Sequence, residues 1–259
     1  MLSSFLLYAA CILTATGLVS IVVPMRFLGV RNRWMAAGVA IAGFVTVTIV
    51  MSWPARTIPP DGVRSTLDDF MPVYQFVERH EIPVRATAAQ VYNALLTVSA
   101  DEIPLYREVV WVRRGGNVGP ESILNPPDGV PLITVATRTS FITLVARPGV
   151  EFAMGTVVIA PPGVRLALGS GPETFRGLSQ PGFAKSIVGF RIEPLKTGWV
   201  LLRTETRVDA TDYVSRATFA RYWRVIAPGS AFVRKMWIRA VKVRAESIAS
   251  APPAAPFNH

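Results

Sequence analysis

The sequence predicts an α+β protein in which a curved antiparallel sheet wraps around a long final helix, behind two apolar helices. Three observations predict it. Two charge-free runs open the chain, Phe5 to Met25 and Trp34 to Trp53. Lys185 to Pro194 and Trp199 to Ala210 alternate apolar and polar residues around the turn "LKTG", the period of a hairpin. Asp212 to Ala249 carries apolar residues at helical spacing. The chain divides into a transmembrane hairpin over 1–53, with helices at about 5–25 and 34–53, a linker over 54–72, a folded domain over 73–249 and a disordered tail over 250–259.

Each apolar run has about the 20 residues that a helix needs to cross a hydrocarbon layer. A cleaved signal peptide would carry a basic stretch first, and nothing basic precedes Phe5. Small residues, Gly17, Gly38 and Ala42, let two such helices approach closely. The connection between them holds Arg26, Arg31 and Arg33 and no acid. By the positive-inside rule that loop is cytoplasmic, which puts both chain ends, and the C-terminal domain, outside. The single cysteine, Cys11, lies within the first run, so no disulfide is available.

Pro54 to Pro72, rich in proline and polar residues, reads as the linker. "YQFVERHEIPV" from Tyr74 reads as a strand with Tyr74, Phe76, Glu78, His80, Ile82 and Val84 on one face. A helix follows over "ATAAQVYNALLTV", with Thr87 as N-cap, and a second includes "ADEIPLYREVVWVRR". "LITVATRTSFITLVARPGVEFAMGTVVIA" is dense in β-branched residues and reads as strands about the turn at Arg147 to Gly149. A Gly/Pro/Ser segment, Pro161 to Gly182, comes next. In the hairpin, Val188, Phe190 and Ile192 share a face, as do Leu202, Thr204, Thr206 and Val208, while Arg191, Glu193, Arg203, Glu205 and Arg207 point to a solvated outer face. Pro228 bends or breaks the last helix.

The order of elements, with "RHEIPVRATAAQVYNALLTV", "GFRIEPLKTGWVLLRTETRVDATD" and "FARYWRVIAPGS", resembles the START-like, or SRPBCC, superfamily of helix-grip proteins related to polyketide cyclases and the Bet v 1 allergens. The resemblance covers about Tyr74 to Ile248. It implies a seven-stranded sheet gripping the final helix around an apolar cavity for lipids, sterols, polyketides or other hydrophobic ligands. Some members of that superfamily are enzymes and others only bind, so fold does not choose among them.

Common catalytic constellations lack parts. The two histidines are His80 and His259, so a His/Cys zinc site cannot be assembled, and no metal or cofactor is implied. No dinucleotide loop, P-loop or nucleophile elbow is present. Glu78 and His80, two apart on a strand, share the face that a grip would turn inward. They can pair structurally, anchor a ligand's polar group or act as acid and base. Ligand-contact candidates are Tyr74, Phe76, Glu78, His80, Phe190, Thr204, Thr206, Tyr222 and Trp223, with Phe175 and Phe183 as a gate over the cavity mouth. All 17 acidic residues and 24 of the 27 basic ones follow the second run, leaving that part about +7. Arg234, Lys235, Arg239 and Lys242 on the last helix would attract anionic headgroups or form a solvated face. Nucleic acid is a poor partner for a domain outside the membrane. Three function classes stand: a membrane-anchored binder of a hydrophobic, lipid-like ligand, a cyclase- or hydrolase-type enzyme using Glu78 and His80, and a module that assembles with another membrane protein.

Overall fold

A computed structural model describes residues 2–23, 25, 29–59, 65–164 and 171–250. Arg26, Arg64, the middle of the Pro161 to Gly182 segment, the linker centre and the tail with His259 lie outside the described residues. The chain forms two compact units, one of residues 1–56 and 216–228, the other of 57–215 and 229–259.

In the first unit, α1 (Leu2–Val22) and α2 (Arg33–Ser52) pack together, and both are long and apolar enough to cross a membrane. Asn32 caps α2 by accepting from the Met35 amide at 2.8 Å. The close approach is made at Gly17 and Gly43: a Cβ on the first would strike the Ala40 backbone, and one on the second would strike Thr14. Gly38, expected at the contact with Ala42, would meet nothing within 4 Å. Arg224 belongs to this unit and donates to the carbonyls of Met51 and Trp53 at the end of α2. Those carbonyls have no partner within their helix, and a cation there also meets the negative end of the helix dipole.

The second unit is built on a five-stranded antiparallel sheet, where the resemblance implied seven strands. The strands are β1 (Phe76–Val84), β2 (Ile142–Arg147), β3 (Glu151–Ile159), β4 (Ala184–Lys196) and β5 (Trp199–Ala210), in the order β1-β5-β4-β3-β2. Four helices are interspersed, α3 (Ala88–Thr97), α4 (Tyr106–Arg113), α5 (Leu132–Thr139) and α6 (Pro172–Gly177). Thr87 caps α3 with Gln90 completing a capping box. A two-residue turn, Thr197 and Gly198 with Gly198 at φ 75°, joins β4 to β5.

"LITVATRT", read as strand, is helix α5. It buries Leu132, Ile133, Val135 and Ala136, and that helical spacing against the core overrides the β preference of its branched residues. The last helix, α7 (Tyr213–Ser250), runs through Pro228 without ending. Proline there removes the one backbone bond to the Arg224 carbonyl. Beyond it Trp237, Ile238, Ala240, Val241 and Ala245 are buried, and they fasten the rest of the helix to the inner face of the sheet.

The inner core joins that part of α7 to Val84, Phe152, Met154, Val188, Phe190, Ile192 and Leu202 of the strands, closed at the sides by α3, α4 and α5. The outer face is covered as well. Part of the expected linker forms a 3-10 turn, Thr66–Asp69, and Leu67, Phe70, Met71 and Tyr74 pack there with Ala153, Ile187 and Phe175 of α6. A curved antiparallel sheet closed on a long C-terminal helix is the helix-grip architecture, here preceded by two apolar helices.

Candidate functional site

Register brings the inner polar residues together. Glu78 on β1 stands opposite Thr206 on β5, His80 opposite Thr204, and Thr204 opposite Phe190 on β4. Directly paired residues on one face of a sheet have Cβ atoms about 5 Å apart. Glu78 Oε1 and His80 Nε2 are 3.0 Å apart. From α7, Trp237 meets the Phe190 ring edge-on at 5.2 Å between centroids. Arg234 lays its guanidinium over both rings, 5.9 Å from the centre of Phe190 and 5.2 Å from that of Trp237.

Glu78, Thr204, Thr206 and Trp237 are 8%, 1%, 7% and 1% exposed. Yet Glu78 Oε2, Thr204 Oγ1, Thr206 Oγ1, Trp237 Nε1, and Nε and Nη1 of Arg234 are buried with no hydrogen-bond partner among the described residues. Buried polar groups are nearly always paired, and each one left unpaired costs roughly 1–3 kcal/mol. The other such atoms are scattered: those of Arg114 follow α4, and those of Ser20, Arg216 and Arg224 lie on α1 or on the 216–228 stretch of α7. Burial pushes the Arg234 guanidinium below its ordinary pKa, partly opposed by the Glu78 carboxylate and helped by the neighbouring charge of Arg113. Tyr106 on α4 borders the same region. Burial raises its pKa, and its hydroxyl donates to the Ile123 carbonyl at 2.5 Å.

A groove of about 340 Å³ runs along Arg79, Glu81, Arg191, Arg203 and Glu205 of the outer face, and its lining also includes His80, Phe190 and Thr204. Its charges answer one another through Arg79–Glu205 at 3.1 Å, Arg203–Glu81 at 3.1 Å and Arg191–Glu193 at 3.2 Å. The charges of this surface are paired with one another, so the inner face, with its unpartnered polar atoms, is the better candidate although it is closed in this structure.

Of the residues singled out from sequence, Phe76, Glu78, His80, Phe190, Thr204 and Thr206 share the inner face. Tyr74 does not. It precedes β1, bridges to Ile58 and turns outward, where Arg207 covers its ring at 4.6 Å. Phe175, expected as a gate, is fully buried on the outer face, where Gly155 leaves room for its ring and the Lys185 ammonium lies 5.6 Å from the ring centre. Phe183 is half-buried at the entry to β4, its carbonyl accepting from Thr211. Tyr222 and Trp223 pack with Phe219 in the first unit, so they are not part of the inner core.

Lys235 and Arg239 are exposed, and Lys242 pairs with Glu246 at 3.0 Å and donates to the Pro83 carbonyl at 2.6 Å. Arg234 leaves that surface set, because its side chain turns toward Glu78 and the two rings. Arg234, which the sequence reading put on the basic surface of the last helix, and Trp237, which it did not count among the ligand contacts, are inner-site residues. Their signal was the three-residue spacing on a helix, which puts both on one face.

No family model matches the chain, and no curated protein matches it. Solved structures do. A hypothetical protein from Helicobacter pylori is 11% identical over 73% of this chain and 98% of its own, with a TM-score of 0.37. The Zhui aromatase/cyclase from Streptomyces sp. R1128 is 12% identical over 70% and 99%, with a TM-score of 0.26. Norcoclaurine synthase from Thalictrum flavum is 8% identical over 75% and 97%, with a TM-score of 0.27. These are likenesses of fold and carry nothing about chemistry. The chain itself, by its strand order and gripped helix, is an α+β helix-grip protein behind two apolar helices.

Proposed function

We propose that this is a membrane-anchored protein whose helix-grip domain binds a hydrophobic, lipid-like ligand at the inner face of its sheet, close to the bilayer. On this reading residues 1–53 anchor the chain, 54–72 link, and 73–249 bind, with the arginines between the two apolar helices placing the domain outside the cytoplasm. The observation that carries it is the set of buried, unpartnered polar atoms at Glu78, Thr204, Thr206, Arg234 and Trp237, set in a face otherwise made of Phe, Met, Leu and Val. A mostly apolar site with a few convergent polar groups is what an amphipathic ligand requires.

The face is closed in this conformation, so uptake needs an element to move. The eight-residue α4 is suited to it: Tyr106 and Val110 face the core, while Trp111 and Val112 are exposed. Opening lets water or ligand satisfy groups that are unpaired when shut, which lowers the cost of the motion. The Glu78–His80 contact also suits a second reading, an acid and base acting on the bound ligand.

The test is capture of a neutral fluorescent apolar probe, N-phenyl-1-naphthylamine, by the full chain in lipid nanodiscs, with empty nanodiscs subtracted. Thr204→Phe, which fills the inner face, is expected to abolish saturable capture while the protein stays folded by circular dichroism. Capture that persists unchanged in that variant would put the binding elsewhere.

A further inference from the structure

The unit of residues 1–56 and 216–228 holds seven arginines and no lysine or acidic residue. Three of them, Arg216, Arg221 and Arg224, lie on the stretch of α7 that belongs to it. That stretch is tied to both apolar helices. Tyr8 of α1 donates to the Val225 carbonyl at 2.6 Å, and Arg224 donates to the carbonyls of Met51 and Trp53 where α2 ends. Trp34 and Trp53 stand at the two ends of α2, 87% and 49% exposed. A helix of that length rises about 30 Å, the thickness of the hydrocarbon layer, and tryptophan concentrates where the layer meets water. On the membrane-anchored reading above, Trp53 marks one such boundary, and Arg224 is held at its level. The cations there are not satisfied within the unit. Nε of Arg216 and Nε of Arg224 are buried with no hydrogen-bond partner among the described residues, and Arg224 as a whole is 6% exposed. Burial, and then the like charge of Arg221, push the Arg224 guanidinium below its ordinary pKa. Arg221 itself is exposed, and so are Tyr222 and Val225.

We propose that residues 216–228 of α7 lie in the headgroup layer and bind anionic phospholipid. The phosphate is received by Arg221 and Arg224, whose three-residue spacing puts them on one helix face, and Arg216 extends the basic surface about two turns earlier. Guanidinium groups match phosphate oxygens in geometry as well as charge. A helical stretch that shows cations, an aromatic ring and an apolar side chain, and no acid, suits the boundary between headgroups and acyl chains. A zwitterionic headgroup brings a cation along with its phosphate, and this unit has no acid to receive it. The proposal rests on the membrane-anchored reading and is independent of what the inner face of the sheet binds.

The experiment is native mass spectrometry of the full chain released from nanodiscs of equal phosphatidylglycerol and phosphatidylcholine, counting the lipids that stay bound. Phosphatidylglycerol is expected in at least about fivefold excess, the worth of one arginine near an anionic surface. Arg221→Gln, an exposed position that leaves the Arg224 contacts to α2 intact, should lower the excess, and adding Arg216→Gln should lower it further. Lys235→Gln with Arg239→Gln, later on the same helix, should leave it unchanged. Equal retention of both lipids by the unaltered chain overturns the assignment while leaving the membrane anchor in place. So does an excess undiminished in the Arg216/Arg221 variant, or one that falls as far in the Lys235/Arg239 variant. A chain that stays in solution without detergent or nanodisc takes down the membrane-anchored reading, and this proposal with it.

Discussion

Arg207 stands on the outer face of the sheet with its guanidinium donating to Asp68 Oδ1 at 2.5 Å, to Glu205 Oε1 at 2.7 Å and to the Met71 carbonyl at 3.0 Å. Its side chain is 2% exposed. Burial works against the charge, but the hydrogen bonds and charges of Asp68 and Glu205 outweigh it and hold the pKa above its ordinary value. A buried arginine so held fastens the stretch before β1 to the sheet. Arg207→Met should therefore cost about 3–5 kcal/mol, because it strands Asp68 as an uncompensated charge. Chemical denaturation checks this, and adding Asp68→Asn should return part of the loss; an additive pair would mean the two residues act separately. The charge pattern of the hairpin reads as a solvated strand face, and for Arg191 and Arg203, about half exposed, it is one. Nothing local marks Arg207 as different, because the residues that cover it lie about 135 positions earlier. Arg234 was illegible for the same reason: Glu78, Phe190 and Trp237 draw it inward, and two of those three are remote in sequence.

At the level of elements, legibility followed how local the determinants were. The β4–β5 hairpin and the Thr87 cap are written within a dozen residues, and both are where periodicity and capping chemistry put them. Helix α5 is not local: alternating branched residues suit a strand, and only the core that receives Leu132 and Ala136 makes the segment helical. Tyr74 fell on the wrong face because alternation was extended one step before the strand begins at Phe76. The start of α7 yields a pH prediction. Asp212 accepts from the amides of Gly182, Val214 and Ser215 and from the Ser215 hydroxyl. The Ser215 hydroxyl and these backbone amides lower its pKa to about 2. A carboxyl depressed on folding stabilises fully above its unfolded pKa of about 4 and loses that contribution as pH falls through the folded value. The melting-temperature gap between the unaltered protein and Asp212→Ala should be constant from neutral pH down to about 5 and narrow toward pH 2. A gap that does not change with pH would remove Asp212 from the account of α7.

Over the whole molecule, the two units treat their apolar residues differently. Residues 2–22 and 33–52 form helices whose apolar side chains remain exposed and whose contacts are made through Gly17 and Gly43, as membrane helices do without a hydrophobic force between them. The sheet unit instead buries both faces, one against α7 and one under residues 65–75 and α6. Within that unit, and apart from two atoms of Arg114, the unpaired buried polar atoms among the described residues belong to the inner face, at Glu78, Thr204, Thr206, Arg234 and Trp237. Stability alone gives no reason to keep them, since apolar groups of the same shape would cost less. The measurement that tests this most directly is native mass spectrometry of the full chain released from its own membranes, followed by extraction and identification of whatever is bound. A stoichiometric hydrophobic ligand, absent from a Thr204→Phe variant prepared in the same way, is the expected result. A chain that flies empty from its membranes, and stays empty when host lipids are added back, would contradict the account.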